Sequence, residues 1–160
     1  VHTATTLAAV PGASSITAGS AFACAIVANA ALKCWGANTS GQIGTGSTAT
    51  TSLPVSPAGL GSGVTSVSAA SASACAVKAG AVYCWGDNAY GQLGIGSTSS
   101  FSTPQHVPGI SGAIGVVTGG TASYAWDAAG HVWAWGQNVY GQLADGTTTD
   151  RTSPVAVTIH

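Results

Sequence analysis

The stretch Trp35-Gly36-Ala37-Asn38-Thr39-Ser40-Gly41-Gln42-Ile43-Gly44-Thr45-Gly46 has two further copies in this 160-residue chain, which begin at Trp85 and Trp135. Successive copies are shifted by 50 residues. Four kinds of residue recur at the same place in every copy: Trp35, Trp85 and Trp135; Asn38, Asn88 and Asn138; Gly41, Gly91 and Gly141; Gln42, Gln92 and Gln142. A period of this length predicts a repeat architecture in which each copy packs against the next.

Each copy contains four short segments typical of β-strands, bounded by Gly, Pro, Ser or Asn and without helical periodicity. The predicted strands are 15–18, 22–28, 32–35 and 53–56, then 64–68, 74–78, 81–85 and 104–107, then 114–118, 123–127, 131–135 and 154–159. Residues 3–10 predict one further strand before the turn pair Pro11-Gly12. We therefore predict an all-β fold of three four-stranded antiparallel propeller-type blades, a partial or oligomer-completed β-propeller, plus one extra N-terminal strand. Residues 1–160 form a single domain in this interpretation, with the extra strand in 1–12 and the blades in 13–60, 61–110 and 111–160.

Charged residues are scarce. The chain has three Lys and Arg, four Asp and Glu and a net charge of −1, so that 4% of it is charged, against roughly 25% in ordinary domains. Without a basic patch, we predict no nucleic-acid partner. No apolar run approaches the ~18 residues of a membrane helix, so we also predict no membrane insertion. A net charge near zero gives little repulsion between copies and favours association, unless the many Ser, Thr, Asn and Gln residues hydrate the surface well enough.

The four cysteines occur as two pairs, Cys24 with Cys34 and Cys75 with Cys84. In an antiparallel hairpin the first pair leaves a turn centred on Asn29, and the second leaves Ala79-Gly80; both are good turn sequences. Each pair is then close enough for a disulfide. Reduced thiols in the core and a metal site are the alternatives, although the spacing is not that of a zinc knuckle. Disulfides predict an extracellular or cell-surface location.

The repeated Trp-Gly-x-Asn stretch has two interpretations. The indoles are either a platform for a sugar or aromatic ligand, or packing elements between neighbouring sheets with their N–H groups bonded to loop carbonyls. The second interpretation accounts for a tryptophan at the same place in every copy. Trp126 and Trp133 occur only in the third copy and form a candidate recognition surface.

We predict no catalytic residues, no metal site and no cofactor. The four histidines have no paired-ligand spacing, and no Ser-His-Asp motif or phosphate-binding loop is present. Asp145 and Asp150 flank a possible calcium loop, yet the alternating oxygen donors of such a loop are missing, and a solvated turn is the simpler interpretation. Asn38-Thr39-Ser40 matches a glycosylation acceptor, but Asn88 and Asn138 recur without it.

The pattern Trp-Gly-x-Asn-x-x-Gly-Gln-[Ile/Leu]-x-x-Gly, with Cys-Ala-[Ile/Val] upstream and a proline downstream, resembles the repeat of the regulator of chromosome condensation family. The resemblance covers nearly the whole chain, and we interpret the chain as a secreted, prokaryotic-like variety. It implies four-stranded sheets arranged radially. Members of that family have propellers of about seven blades, so three blades would not close a ring. The low charge also departs from the family's nuclear member and argues against its chromatin and exchange-factor roles.

The leading prediction for function is a non-enzymatic extracellular structural protein that self-associates into a ring or filament. Terminal strands are templates for pairing with another copy, and the candidate assembly residues are Thr5, Leu7, Val10, Val155, Val157 and Ile159. The alternative is a protein-binding or inhibitor module of a larger secreted β-propeller. The expected partner is accordingly another copy of the chain or a different protein.

Overall fold

The computed structural model describes residues 10–158. These residues form twelve strands in three antiparallel sheets, and in each sheet the strands neighbour one another in chain order. Blade 1 contains β1 (Ser15–Ala18), β2 (Phe22–Val27), β3 (Ala31–Gly36) and β4 (Thr51–Val55); blade 2 contains β5 (Val64–Ala70), β6 (Ser73–Lys78), β7 (Ala81–Gly86) and β8 (Phe101–His106); blade 3 contains β9 (Ala113–Thr118), β10 (Ala122–Asp127), β11 (Val132–Gly136) and β12 (Arg151–Val157). Among these residues no helix is long and apolar enough to cross a membrane.

The two central hairpins of blades 1 and 2 turn where the sequence predicts. The short 3-10 turn Ala28–Ala30 joins β2 to β3, and its Asn29 has a φ of 61°. In blade 2, Ala79 and Gly80 both have positive φ, as a two-residue hairpin of type I′ requires. Cys24 and Cys75 therefore lie directly opposite Cys34 and Cys84, and both pairs are joined as disulfides.

The fourth strand of each blade begins earlier than predicted, at Thr51, Phe101 and Arg151 rather than at 53, 104 and 154. The sequence predicts a proline as the first residue of this strand in the last two blades, but Pro104 and Pro154 lie inside β8 and β12. Each of these strands pairs on one side only, and a proline is tolerated on an edge strand because its missing N–H is not needed there. A bulge opposite the repeated Trp-Gly pair accounts for the longer strands.

The first strands of the three blades are linked by side chain to backbone hydrogen bonds. The Ala69 N–H of β5 donates to the Thr17 hydroxyl of β1 at 3.0 Å. One blade further on, the Thr118 N–H of β9 donates to the Ser68 hydroxyl of β5 at 3.0 Å. The inner edges of neighbouring blades are therefore tied by short polar side chains.

The hydrophobic core lies between the blades. One cluster combines Cys24, Leu32 and Ile43 of blade 1 with Ala76 and Trp85 of blade 2. A second cluster combines the corresponding residues of blades 2 and 3, and a third covers the face of blade 3 that is turned away from blade 2. We call this last surface the outer face of blade 3; it consists of Ala122, Tyr124, Ala134, Leu143 and Val157. Burial between successive sheets makes each blade dependent on its neighbour.

Candidate functional site

The loop between the third and fourth strand of each blade is held by the repeated asparagine. In blade 2 the Asn88 amide donates to the carbonyl oxygens of Ser97 and Ser99, both at 2.9 Å, and its oxygen accepts from the Leu93 N–H at 2.9 Å. Asn88 is fully buried. The corresponding bonds hold the other two loops, through Asn38 and Asn138. A loop fixed by three internal hydrogen bonds is a rigid platform for the residues at its tip.

The repeated glutamine fixes the loop tip itself. Its side-chain oxygen accepts from the backbone N–H two residues earlier, at 2.9 Å in all three blades. The residues whose N–H groups are held in this way are Ser40, Tyr90 and Tyr140. The Tyr90 side chain is 42% exposed and that of Tyr140 is 90% exposed. Two tyrosines thus project from equivalent positions on consecutive blades.

The repeated tryptophan joins each blade to the one before it. Trp85 Nε1 donates to the carbonyl oxygen of Gln42 at 2.8 Å, and Trp135 Nε1 donates to that of Gln92 at 2.8 Å. Both indoles are fully buried. Trp35 holds the same place in blade 1, but it is only partly buried and makes no side-chain hydrogen bond within the described residues. The buried tryptophans are used for blade packing and are not available to a ligand.

Trp126 and Trp133 do not share one surface. Trp126 pairs with Val132 across the β10–β11 hairpin, while Trp133 pairs with Ala125, so the two side chains point to opposite faces of the sheet. The Trp126 ring lies over Gly115 and is 38% exposed. Trp133 packs against the cluster between blades 2 and 3.

An open groove of about 340 Å³ lies beside Trp133, lined by His131, Val132, Trp133, Ala156, Val157 and Thr158. Next to it the His131 ring is 2.7 Å from an oxygen of Asp127, and this contact is the main reason that the pKa of Asp127 lies below its usual value. The other Asp127 oxygen accepts from the His131 backbone N–H at 2.9 Å. The two residues therefore stabilise the surface turn between β10 and β11.

The two aspartates of the possible calcium loop bind protein groups. Asp145 accepts from the Thr147 hydroxyl at 2.7 Å and from Arg151 Nε at 2.6 Å, and these two contacts hold its pKa far below the usual value. Asp150 accepts from the Asn138 N–H at 2.7 Å. Within residues 10–158 no group of three or more His, Cys, Asp and Glu is arranged to hold a metal ion.

The candidate assembly residues lie only partly in the described chain. Val155 and Val157 belong to β12 and pair with Ala134 and Val132 of β11. Val10 directly precedes the turn before β1. Thr5, Leu7, Ile159 and the predicted N-terminal strand lie outside the described residues, so association through terminal strands stays a prediction.

Three consecutive four-stranded antiparallel sheets, joined by buried tryptophans, define a segment of a β-propeller. One model of the regulator of chromosome condensation (RCC1) repeat matches residues 34–77, 79–126 and 129–159, and a second model of the same repeat matches residues 13–42. The chain belongs to the RCC1 repeat family. No curated protein matches it significantly over the sequence.

Solved structures of the same architecture include human WBSCR16, with a TM-score of 0.79 and 22% identity over 91% of this chain and 38% of that one. Yeast RCC1 (Prp20) bound to Kap60 superposes with a TM-score of 0.77 and 19% identity, over 92% of this chain and 37% of that one. A structure of Prp20p from Saccharomyces cerevisiae, described with its binding to Gsp1p and histones, superposes with a TM-score of 0.76 and 19% identity, over 92% of this chain and 38% of that one. The chain therefore spans about two fifths of the length of these propellers.

Sequence reasoning did not single out Tyr90 and Tyr140. The signal was available, because both residues stand in the repeat where the first copy has Ser40. A large side chain at a position that the loop does not need for packing indicates use at the surface.

Proposed function

We propose that this chain is a protein-binding module of a β-propeller and that it contacts its partner through the loop tips carrying Tyr90 and Tyr140. The observation that carries the proposal is the presentation of two exposed tyrosines by loops whose backbone is already fixed. Tyrosine is enriched at the centres of protein interfaces, since it offers a large contact area and loses little conformational entropy on binding. Val139, also exposed, extends this apolar surface beside Tyr140.

The neighbouring structures support a partner of a different kind from the chain itself. The yeast propellers are described with Kap60, Gsp1p and histones, all of them proteins other than the propeller. This favours a binding module over the predicted self-assembling filament. The non-enzymatic reading is part of the same proposal, since the surface described above offers contact area and no activated nucleophile.

An extracytoplasmic location belongs to the proposal as well. Both cysteine pairs are bridged, and structural disulfides persist in oxidising compartments. The shortage of charged residues also means that recognition would depend on aromatic contact and neutral hydrogen bonds rather than on electrostatic attraction.

The test replaces both tyrosines by the residue that the first copy uses. In Tyr90→Ser/Tyr140→Ser all three loops carry serine at the tip, as blade 1 does naturally at Ser40, so the loop should keep its conformation. Leu53→Ser is the matched control, because Leu53 is a similarly exposed apolar residue on β4. Partners would be captured from the extracellular fraction of the source organism with wild-type protein, purified, and titrated against the wild type and both variants.

We expect at least one purified partner whose Kd rises at least ~10-fold in the double variant, which corresponds to the ~1.4 kcal/mol that a modest hot spot contributes. Leu53→Ser should leave that Kd unchanged. Equal affinity of every partner for the wild type and the double variant would refute the assignment to these loop tips.

A further inference from the structure

The contact between successive blades depends on a glycine as well as on the tryptophan. A Cβ atom built on Gly44 would lie 2.8 Å from Trp85 Nε1, and one built on Gly94 would lie 2.7 Å from Trp135 Nε1. Both glycines are buried and have positive φ, 83° and 71°. The indole of the following blade therefore lies directly on the glycine while it donates to the nearby glutamine carbonyl.

The third copy departs from this arrangement at the same position. Ala144 stands where the first two copies have Gly44 and Gly94. It keeps the loop conformation, with a φ of 53°, although an alanine rarely adopts a positive φ. Its methyl group projects where the indole of a following blade would lie. The residue is exposed, whereas both glycines are buried.

The acceptor of the tryptophan contact also accepts a hydrogen bond within the third copy. A carbonyl can accept two such bonds, as that of Gln92 does from Trp135 Nε1 and from the Ser123 hydroxyl, so any block at this position depends on the space that side chains fill beside the carbonyl. The Tyr124 hydroxyl donates to the carbonyl oxygen of Gln142 at 2.9 Å. Gln42 and Gln92 use this carbonyl to receive the indole of the next blade. Tyr124 belongs to the same blade as Gln142, so the bond is made within blade 3.

Tyr124 reaches that carbonyl from the position that a cysteine holds in the other blades. It lies opposite Ala134 in the β10–β11 hairpin, as Cys24 lies opposite Cys34 and Cys75 opposite Cys84. It packs against the buried cluster of Ala122, Ala134 and Leu143. In blades 1 and 2 the equivalents of Leu143, Ile43 and Leu93, share their clusters with the tryptophan of the next blade.

We propose that Tyr124 and Ala144 make the outer face of blade 3 unable to receive another blade of this repeat type, so that blade 1 of a second copy does not stack there through Trp35. The inference concerns the sheet faces and goes beyond the proposed function, which concerns the loop tips. Trp35 holds the repeat position of Trp85 and Trp135 and is only partly buried, so blade 1 carries an indole of the kind that joins blades. Without this block, the repeats themselves would favour head-to-tail association of copies, because such a contact gives a ring if the rotation between copies closes and a filament if it does not.

The test restores the receiving face. Tyr124→Cys/Ala134→Cys/Ala144→Gly gives blade 3 the residues that blade 1 has at Cys24, Cys34 and Gly44. Tyr124→Ala/Ala144→Gly is the second variant and avoids mispairing of new cysteines. Each is also made with Trp35→Phe, which keeps an aromatic ring but removes the N–H donor. Association is measured by sedimentation velocity over a concentration series, and folding is checked by far-UV circular dichroism.

We call the triple variant and Tyr124→Ala/Ala144→Gly the opened variants. We expect them to associate at concentrations at least ~10-fold lower than the wild type does. Adding Trp35→Phe to either opened variant should reverse most of this gain in association. Trp35→Phe alone should leave the behaviour of the wild type unchanged. The proposal is overturned if the wild type already associates in a way that Trp35→Phe weakens, or if both opened variants fold and associate no more than the wild type. The assay uses only this chain, so its outcome does not depend on the proposed partner.

Discussion

Trp85 of the second blade donates its indole N–H to the carbonyl oxygen of Gln42 in the first blade at 2.8 Å, in a site where the indole has no exposure to solvent. Trp85→Phe should remove the donor and leave this carbonyl unpaired, which together with the lost volume costs about 2–3 kcal/mol of unfolding free energy. Urea denaturation followed by circular dichroism measures the change.

Trp35→Phe provides the matched control for this prediction. It makes the same replacement at the same place in the repeat, where the indole is only partly buried. We expect a cost below about 1 kcal/mol, as for other substitutions away from buried contacts. Equal losses in the two variants would contradict the assignment of the hydrogen bond to blade packing.

The disulfides should contribute to stability separately in blades 1 and 2. Each closes a loop of about ten residues, for which the chain-entropy model gives about 2–3 kcal/mol. Cys24→Ala/Cys34→Ala and Cys75→Ala/Cys84→Ala should therefore lose similar amounts, measured by thermal unfolding without reductant. Alanine is chosen because both pairs are fully buried and a serine there would bury an extra polar group.

A reductant provides the control for the disulfide variants. It should lower the melting temperature of the wild type and leave unchanged that of a variant with all four cysteines replaced by alanine, because that variant has no disulfide to reduce. The variant should still fold, since blade 3 has Tyr124 and Ala134 at the bridged positions. A melting temperature of the wild type that is insensitive to reductant would contradict the prediction.

Asn88→Ala should be among the most damaging substitutions outside the apolar core. It removes three hydrogen bonds at once and leaves the Leu93 N–H buried without an acceptor. We expect a loss of about 3 kcal/mol or more, since each buried unpaired group costs about 1–3 kcal/mol. Asn29→Gly is the control: Asn29 is exposed and has a φ of 61° that glycine adopts freely. A loss below about 1 kcal/mol for Asn88→Ala would be inconsistent with a rigid loop.

Asp145 should make stability depend on pH in the acid range. Hydrogen bonds from Thr147 and Arg151 lower its pKa in the folded protein below the ordinary value of 3.8. The stabilisation is therefore fully present above that value and is lost as the pH falls further, because the unfolded chain then takes up a proton that the folded chain does not. Melting temperatures of the wild type and Asp145→Asn should differ most near neutral pH.

Asp127 also has a lowered pKa, so the comparison must be made between the wild type and Asp145→Asn at each pH. The difference between them should narrow steadily below about pH 4, since Asp127 is common to both proteins. A difference that is the same at pH 7 and pH 2 would show that the carboxylate of Asp145 does not stabilise the fold.

Much of the fold could be predicted from the sequence repeat. Residues such as Trp85 and Asn88 recur at a fixed spacing because every blade needs them, and their recurrence alone predicts the number and composition of the sheets. The hairpin turns could be placed because Asn29 and Ala79-Gly80 suit positive φ. The repeat residues and the turn residues are both recognised within one blade, so they predict its strands and turns without knowledge of how neighbouring blades pack.

The errors arose where a one-residue shift or a tertiary contact decides the outcome. Trp126 and Trp133 look like one aromatic surface in the sequence, but the hairpin register places them on opposite faces, since neighbouring residues of a strand alternate between faces. Pro104 looked like the start of a strand, and it lies within an edge strand whose earlier residues pair with the Trp-Gly bulge. The consequence of Ala144 for blade packing could not be predicted from the sequence. It follows from the structure, in which an indole of the next blade lies on the equivalent residues Gly44 and Gly94.

Each of the three blades is built from one uninterrupted stretch of chain, and Trp85 and Trp135 each donate to a carbonyl of the blade that precedes them. During translation the four strands of blade 1 have therefore left the ribosome before Trp85 emerges, and Trp85 then locks a sheet that is already hydrogen-bonded. The nascent chain can mature from its N-terminal end, one locked sheet at a time. Among residues 10–158 every strand pairs only with strands of its own blade. This order of folding therefore needs no pairing there between strands of different blades, and long-range strand pairing is the slow and aggregation-prone step for many β proteins.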